Sequence, residues 1–173
     1  MEDRRLQWAD KVTLDRIALM HPALRNEIQN QYIEINTKLP KGVRLRFSQT
    51  LRTIEEQNAL YAQGRTTKGK IVTNAPALRS WHNYGLAFDI VMLYDTDNNG
   101  TFETASWDED KFWMIVVNYF KSKGWSWGGD FRSFKDSPHF EKTFGLPIKQ
   151  ALAKYNAGDT ITDNGIKYIK VGG

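Results

Sequence analysis

One carboxylate interrupts an otherwise apolar stretch of the chain. Leu86-Ala87-Phe88-Asp89-Ile90-Val91-Met92-Leu93-Tyr94 reads as a strand, with Ala87, Asp89 and Val91 on one face and Phe88, Ile90 and Met92 on the other. A carboxylate buried among such neighbours is costly unless it is paired or holds a metal. The fold must therefore bring a partner to Asp89. The chain has three histidines, and two stand in short polar runs, His82 seven positions before Asp89 and His139 three positions after Asp136.

Two histidines and one carboxylate can hold a zinc ion and leave its fourth position to water, the arrangement of a catalytic site. A second carboxylate beside that water could take its proton. Asp89, on a rigid strand in an apolar setting, suits the ligand role, and Asp136, in the polar run 132–137, suits proton exchange. The residues alone leave the reverse assignment open, and His82 could equally be a hydrogen-bonded core histidine. With no cysteine in the chain, disulfides, thiolate metal sites and a cysteine nucleophile are excluded.

The 173 residues are 40% hydrophobic, enough for one compact domain with its own core. A net charge of +4 is compatible with a polyanionic partner. There is no dense basic run or nucleic-acid motif, so no nucleic-acid partner is expected. No apolar run is long enough for membrane insertion. Met1-Glu2-Asp3-Arg4-Arg5 leads into no apolar core, so the chain is read as made in the cytoplasm without a secretory signal.

In order, the pattern predicts a short helix over 13–20 and a longer one with Pro22 in its first turn, burying Leu24, Ile28, Tyr32, Ile35 and Leu39. His21 at the junction reads as a polar helix-start residue. Residues 43–48 alternate as a strand. Thr53 and Glu56 form a capping box opening a helix that stops at Gly64, so Arg52 falls at the strand–helix turn. An irregular segment follows to residue 79. A third long helix is expected over 108–121 with Phe112, Ile115, Val116, Tyr119 and Phe120 inward. Trp125 and Trp127 begin a strand, 146–155 form a last helix, and 160–171 a small hairpin around Asn164-Gly165. Asp95, Asp97 and Asn99, with Gly100, resemble the first half of a calcium loop. The twelfth position is Ser106 rather than glutamate, however, and an Asp/Asn/Gly turn joining two strands accounts for the same letters. Calcium is the less favoured reading.

Longer-range pattern sharpens this. Ser80-x-His82-x-x-Gly85-x-Ala87-x-Asp89, followed some fifty residues on by Asp136-x-Pro138-His139-Phe140-Glu141, resembles the signature of zinc peptidases acting on peptidoglycan peptides. These are the D-alanyl-D-alanine carboxypeptidases and dipeptidases and the L-alanyl-D-glutamate endopeptidases, many of them phage endolysins. The similarity takes in Leu51-Arg52-Thr53, Glu56-Gln57, Gln63-Gly64-Arg65, Trp127-Gly128-Gly129-Asp130 and Tyr155-Asn156-Ala157-Gly158. It implies an α+β fold, a small antiparallel sheet packed with helices as in the Hedgehog signalling domain. One catalytic domain is expected over 1–173, with its core at 43–158 and a tail at 159–173.

The resemblance implies one zinc ion held by His82, Asp89 and His139, Asp136 as general base, Arg52 holding substrate and the developing oxyanion, and Ser80 lining the substrate site. It implies the peptidoglycan stem peptide as partner, cut between L-alanine and D-glutamate by a monomer that reaches the wall through a holin or lysis. D-alanyl-D-alanine cleavage is the nearest rival, followed by a zinc-containing wall-binding module without catalysis. A non-haem iron oxygenase also uses two histidines and a carboxylate, but usually spaces the first pair one residue apart.

Overall fold

The computed structural model describes residues 9–172, so the reading of residues 1–5 as lacking a secretory signal lies outside the described residues. The elements in order are α1 (Lys11–Ile17), α2 (Arg25–Lys38), β1 (Val43–Gln49), α3 (Ile54–Ala62), β2 (Ala87–Tyr94), β3 (Thr104–Ser106), α4 (Lys111–Ser122), β4 (Ser126–Trp127), β5 (His139–Glu141), α5 (Ile148–Asn156), β6 (Thr160–Asp163) and β7 (Ile166–Ile169). The fold is α+β, as the sequence leads one to expect.

β2 is the middle of the sheet. It pairs with β1 along one edge, and its other edge is shared, Ala87–Asp89 with β5 and Met92–Tyr94 with β3, all antiparallel. β4 extends the sheet beyond β5. Cross-strand partners share a face, so Phe88, Phe140 and Trp127 fall on one side, while Asp89 and His139 fall on the other. The first side is aromatic core. Phe88 stacks on Phe47 at 4.2 Å and on Phe140 at 5.2 Å between centroids, and Phe120 and Trp125 meet it edge-on.

The helices pack on this core with two departures from the sequence pattern. α4 begins at Lys111 because Asp110 caps it, accepting from the backbone N–H groups of Phe112 and Trp113. Its buried stripe is Trp113, Val116, Val117 and Phe120, with Tyr119 beside it, whereas Ile115 is 40% exposed. Pro22 is not in α2, which starts at Arg25. His21 instead closes the preceding turn, its Nδ1 accepting from Ala23 N–H, while Nε2 lies 2.7 Å from Ile169 O. Both ring nitrogens are thus committed to backbone, which ties β7 to the α1–α2 junction.

The other expectations match closely. Thr53 caps α3, accepting from Glu56 N–H, and β6 and β7 form the C-terminal hairpin, turning through Asn164 and Gly165, both at positive φ. The 95–100 segment is the tip of the β2–β3 hairpin, the turn that the letters also allowed. No helix among the described residues is long and apolar enough to cross a membrane.

Candidate metal centre

Register brings Asp89 its partners. On β2 it stands opposite His139 of β5 on one side and Gln49 of β1 on the other, beyond an irregularity between Phe47 and Gln49. His82 arrives from a short 3-10 turn, Trp81–Tyr84, that the sequence reading did not identify. Ser80 caps this turn, accepting from His82 N–H at 3.3 Å, and Gly85 ends it at φ +70. A Cβ at Gly85 would lie 2.7 Å from His21 N, so that position must be glycine. The Ser80 side chain therefore has a visible structural task beside the substrate role expected of it.

His82 Nε2, His139 Nδ1 and Asp89 Oδ1 meet at one point, with separations of 3.1 Å (His82 to Asp89), 3.2 Å (His139 to Asp89) and 3.3 Å (between the imidazoles). Donors bound at about 2.0–2.2 Å around a tetrahedral ion lie about 3.3–3.6 Å from one another. The outer nitrogens are occupied: His82 Nδ1 lies 2.7 Å from Thr50 O, and His139 Nε2 lies 2.8 Å from Glu141 Oε1. With protons on those outer atoms, three lone pairs aim at a shared centre, and the trio could hold a metal ion.

Electrostatics follow the same geometry. Burial would raise the Asp89 carboxyl, but the two imidazoles outweigh it and hold it well below the usual carboxylate range. Burial would lower His139, yet Asp89 and Glu141 push the imidazole up to about 9 in the metal-free protein. Asp136 lies 4.0 Å from His139 Nδ1 with its side chain half exposed. Its pKa is raised, first by burial and then by the Asp89 charge.

Asp136 is carried on a pinched loop. Gly128 O accepts from both Phe131 N–H and Asp136 N–H, and a Cβ at Gly128 would lie 2.1 Å from Asp136 O. Arg52 is held by two glutamines, Nη1 donating to Gln57 Oε1 at 3.0 Å and Nη2 to Gln49 Oε1 at 2.6 Å. Its backbone N–H donates to His82 O. Burial lowers its pKa, while Asp89, Glu56 and Asp136 favour its charge.

Asp95 and Asp97 do not join this centre. They gather with Glu103 at the β2–β3 tip, where the Asn99 side-chain oxygen accepts from Thr101 and its Nδ2 donates to Asp97. Sequence reasoning assigned no role to Gln49, Thr50 or Glu141, although Glu141 stands two residues from His139 on a strand, on the same face.

Residues 73–142 match the family described as D-alanyl-D-alanine carboxypeptidase. The matched stretch includes Ser80, His82, Asp89, Asp136, His139 and Glu141, with Arg52 upstream of it. The chain is 40% identical over 112 residues to the peptidoglycan L-alanyl-D-glutamate endopeptidase CwlK of Bacillus subtilis (strain 168), a match covering 58% of this chain and 62% of that protein. It is 28% identical over 131 residues to the L-alanyl-D-glutamate peptidase of Listeria phage A118, covering 71% of this chain and 42% of that one. The chain thus spans less than two thirds of either relative's length. The L-Ala D-Glu endopeptidase ChiX of Serratia marcescens shares the fold, with a TM-score of 0.51 at 22% identity over 77% of this chain and 87% of that one.

Proposed function

We propose that the protein is a zinc-dependent peptidoglycan peptidase that hydrolyses the L-alanyl-D-glutamate bond of the stem peptide. The observation that carries this reading is the convergence of His82 Nε2, Asp89 Oδ1 and His139 Nδ1 within 3.1–3.3 Å of one another, with a half-exposed carboxylate alongside. A single zinc ion held by these residues would lower the pKa of bound water and polarise the scissile carbonyl.

The chain's own groups do the rest. Asp136 is the general base: it accepts a proton from the attacking water and returns it to the leaving nitrogen. Its raised pKa suits both halves of that exchange. Arg52, its fork fixed by Gln49 and Gln57, holds the substrate and donates hydrogen bonds to the oxygen on which negative charge develops. Ser80, whose side chain accepts from His82 N–H, both lines the substrate site and positions His82. The protein acts as a monomer, released to the wall by a holin or by lysis. Its positive charge aids approach to an anionic wall, and salt weakens this effect.

The description of the matched family favours a second reading, release of the terminal D-alanine. The relatives named as L-alanyl-D-glutamate peptidases favour the first. Digesting purified peptidoglycan with and without chelator, then identifying new termini by mass spectrometry, separates them. Chelator-sensitive appearance of L-alanine carboxyl termini and D-glutamate amino termini is expected. Free D-alanine would establish the alternative, and no new termini from zinc-loaded protein would overturn both.

A further inference from the structure

We infer that Glu141 is a positioning residue that selects the nitrogen His139 presents to the metal and strengthens its hold on the ion. The inference rests on the metal reading above. Glu141 follows His139 by two residues on β5, so both side chains stand on one face of the sheet. Its Oε1 lies 2.8 Å from His139 Nε2, and the side chain is 16% exposed. β5 is held between β2 and β4 at this residue, which pairs with Ala87 on one side and Ser126 on the other. Among the described residues the Glu141 carboxylate has no other hydrogen bond from a side chain.

An ionised carboxylate only accepts, so His139 Nε2 must carry the ring proton in the neutral imidazole. The Nδ1 lone pair is then left facing Asp89 and His82. The two imidazoles differ in this respect. His82 turns its other nitrogen, Nε2, to the centre and has a neutral carbonyl, Thr50 O, behind it. Both backing groups fix a tautomer, but only Glu141 adds a full negative charge behind the ring. That charge increases electron donation from Nδ1. Together with Asp89 it also brings the formal charge of a divalent ion to zero inside a largely buried site.

Zinc dissociation constants for the wild-type protein, Glu141→Gln and Glu141→Ala, measured by competition with a chromogenic chelator, test this alongside the visible absorption of the cobalt-substituted forms. Glu141→Ala should weaken zinc about 10–100-fold and alter the cobalt spectrum. Glu141→Gln, the same size and still able to accept from Nε2, should fall between alanine and wild type, and it keeps the test open should the alanine variant fold poorly. A residue that merely pins β5 would lower the melting temperature of the metal-free variants and leave the zinc constants unchanged, which would overturn the inference alone. A wild-type protein that binds no zinc would overturn the metal reading and this inference with it.

Discussion

Among the described residues, two groups of three potential ligands each have their ligand atoms within 4.8 Å of one another. At the β2–β3 tip, Asp95 accepts from the N–H groups of Asn99 and Gly100, Asp97 accepts from Asn99, and Glu103 accepts from the Thr101 hydroxyl. Solvent and the turn itself satisfy these carboxylates. At the centre of the sheet, His82, Asp89 and His139 are largely shielded from water, and the protons on the outer nitrogens point away. The inner atoms face only each other. A count of acidic groups therefore says little. A buried point where three inner atoms converge says more, because only a cation, whether a proton on His139 or a metal ion, can satisfy them there.

The largest effect expected is at the sheet centre. His139→Ala should abolish zinc retention and lower peptidoglycan hydrolysis about 1,000-fold or more, read by metal content after dialysis and by release of new termini. Retained zinc at normal affinity would break the contrast between the two groups. Asp136→Ala should cost about 100- to 10,000-fold in turnover while zinc content stays at the wild-type level, since it removes the proton carrier and no ligand. Near-normal turnover would remove Asp136 from its role.

A pH effect sharpens the contrast further. The folded metal-free protein raises His139 from 6.5 to about 9. Its protonated ring therefore adds stability that is complete below the ordinary value and is lost as pH rises through about 9. Thermal unfolding of chelated protein between pH 6 and 9 should show this decline. The zinc-loaded protein should lack it, because the ion stands where the proton stood. The smallest effect is expected at the tip: Asp97→Asn should leave zinc content and hydrolysis unchanged. A loss of either would mean that the two regions are linked.

The centre was legible because an ionisable residue in an apolar strand admits few explanations. Once Asp89 was read as needing a partner, the scarce histidines narrowed the choice, and the structure brings His82 and His139 to it. Strand parity and glycine-ended helices were readable for the same local reasons. The helix phase of α4 was not. Phe112, Trp113, Met114, Ile115, Val116 and Val117 are all apolar, so periodicity there cannot select a stripe, and burial in the shared core decides in favour of Trp113 and Val117. Pro22 fits a first helical turn in principle, yet His21 takes the adjoining N–H for a separate turn. The groups behind the two imidazoles, Thr50 and Glu141, were hidden because orientation through a second partner depends on which ring nitrogen faces inward, and that appears only in three dimensions.

Gly128 illustrates how far such dependence reaches. Its carbonyl tethers the Asp136 backbone, and the space where a side chain would sit is already filled by Asp136 O. A random-mutagenesis screen for inactive variants should thus recover almost any replacement at 128 along with those at 136, and genetics would flag as indispensable a residue that has no reactive group at all.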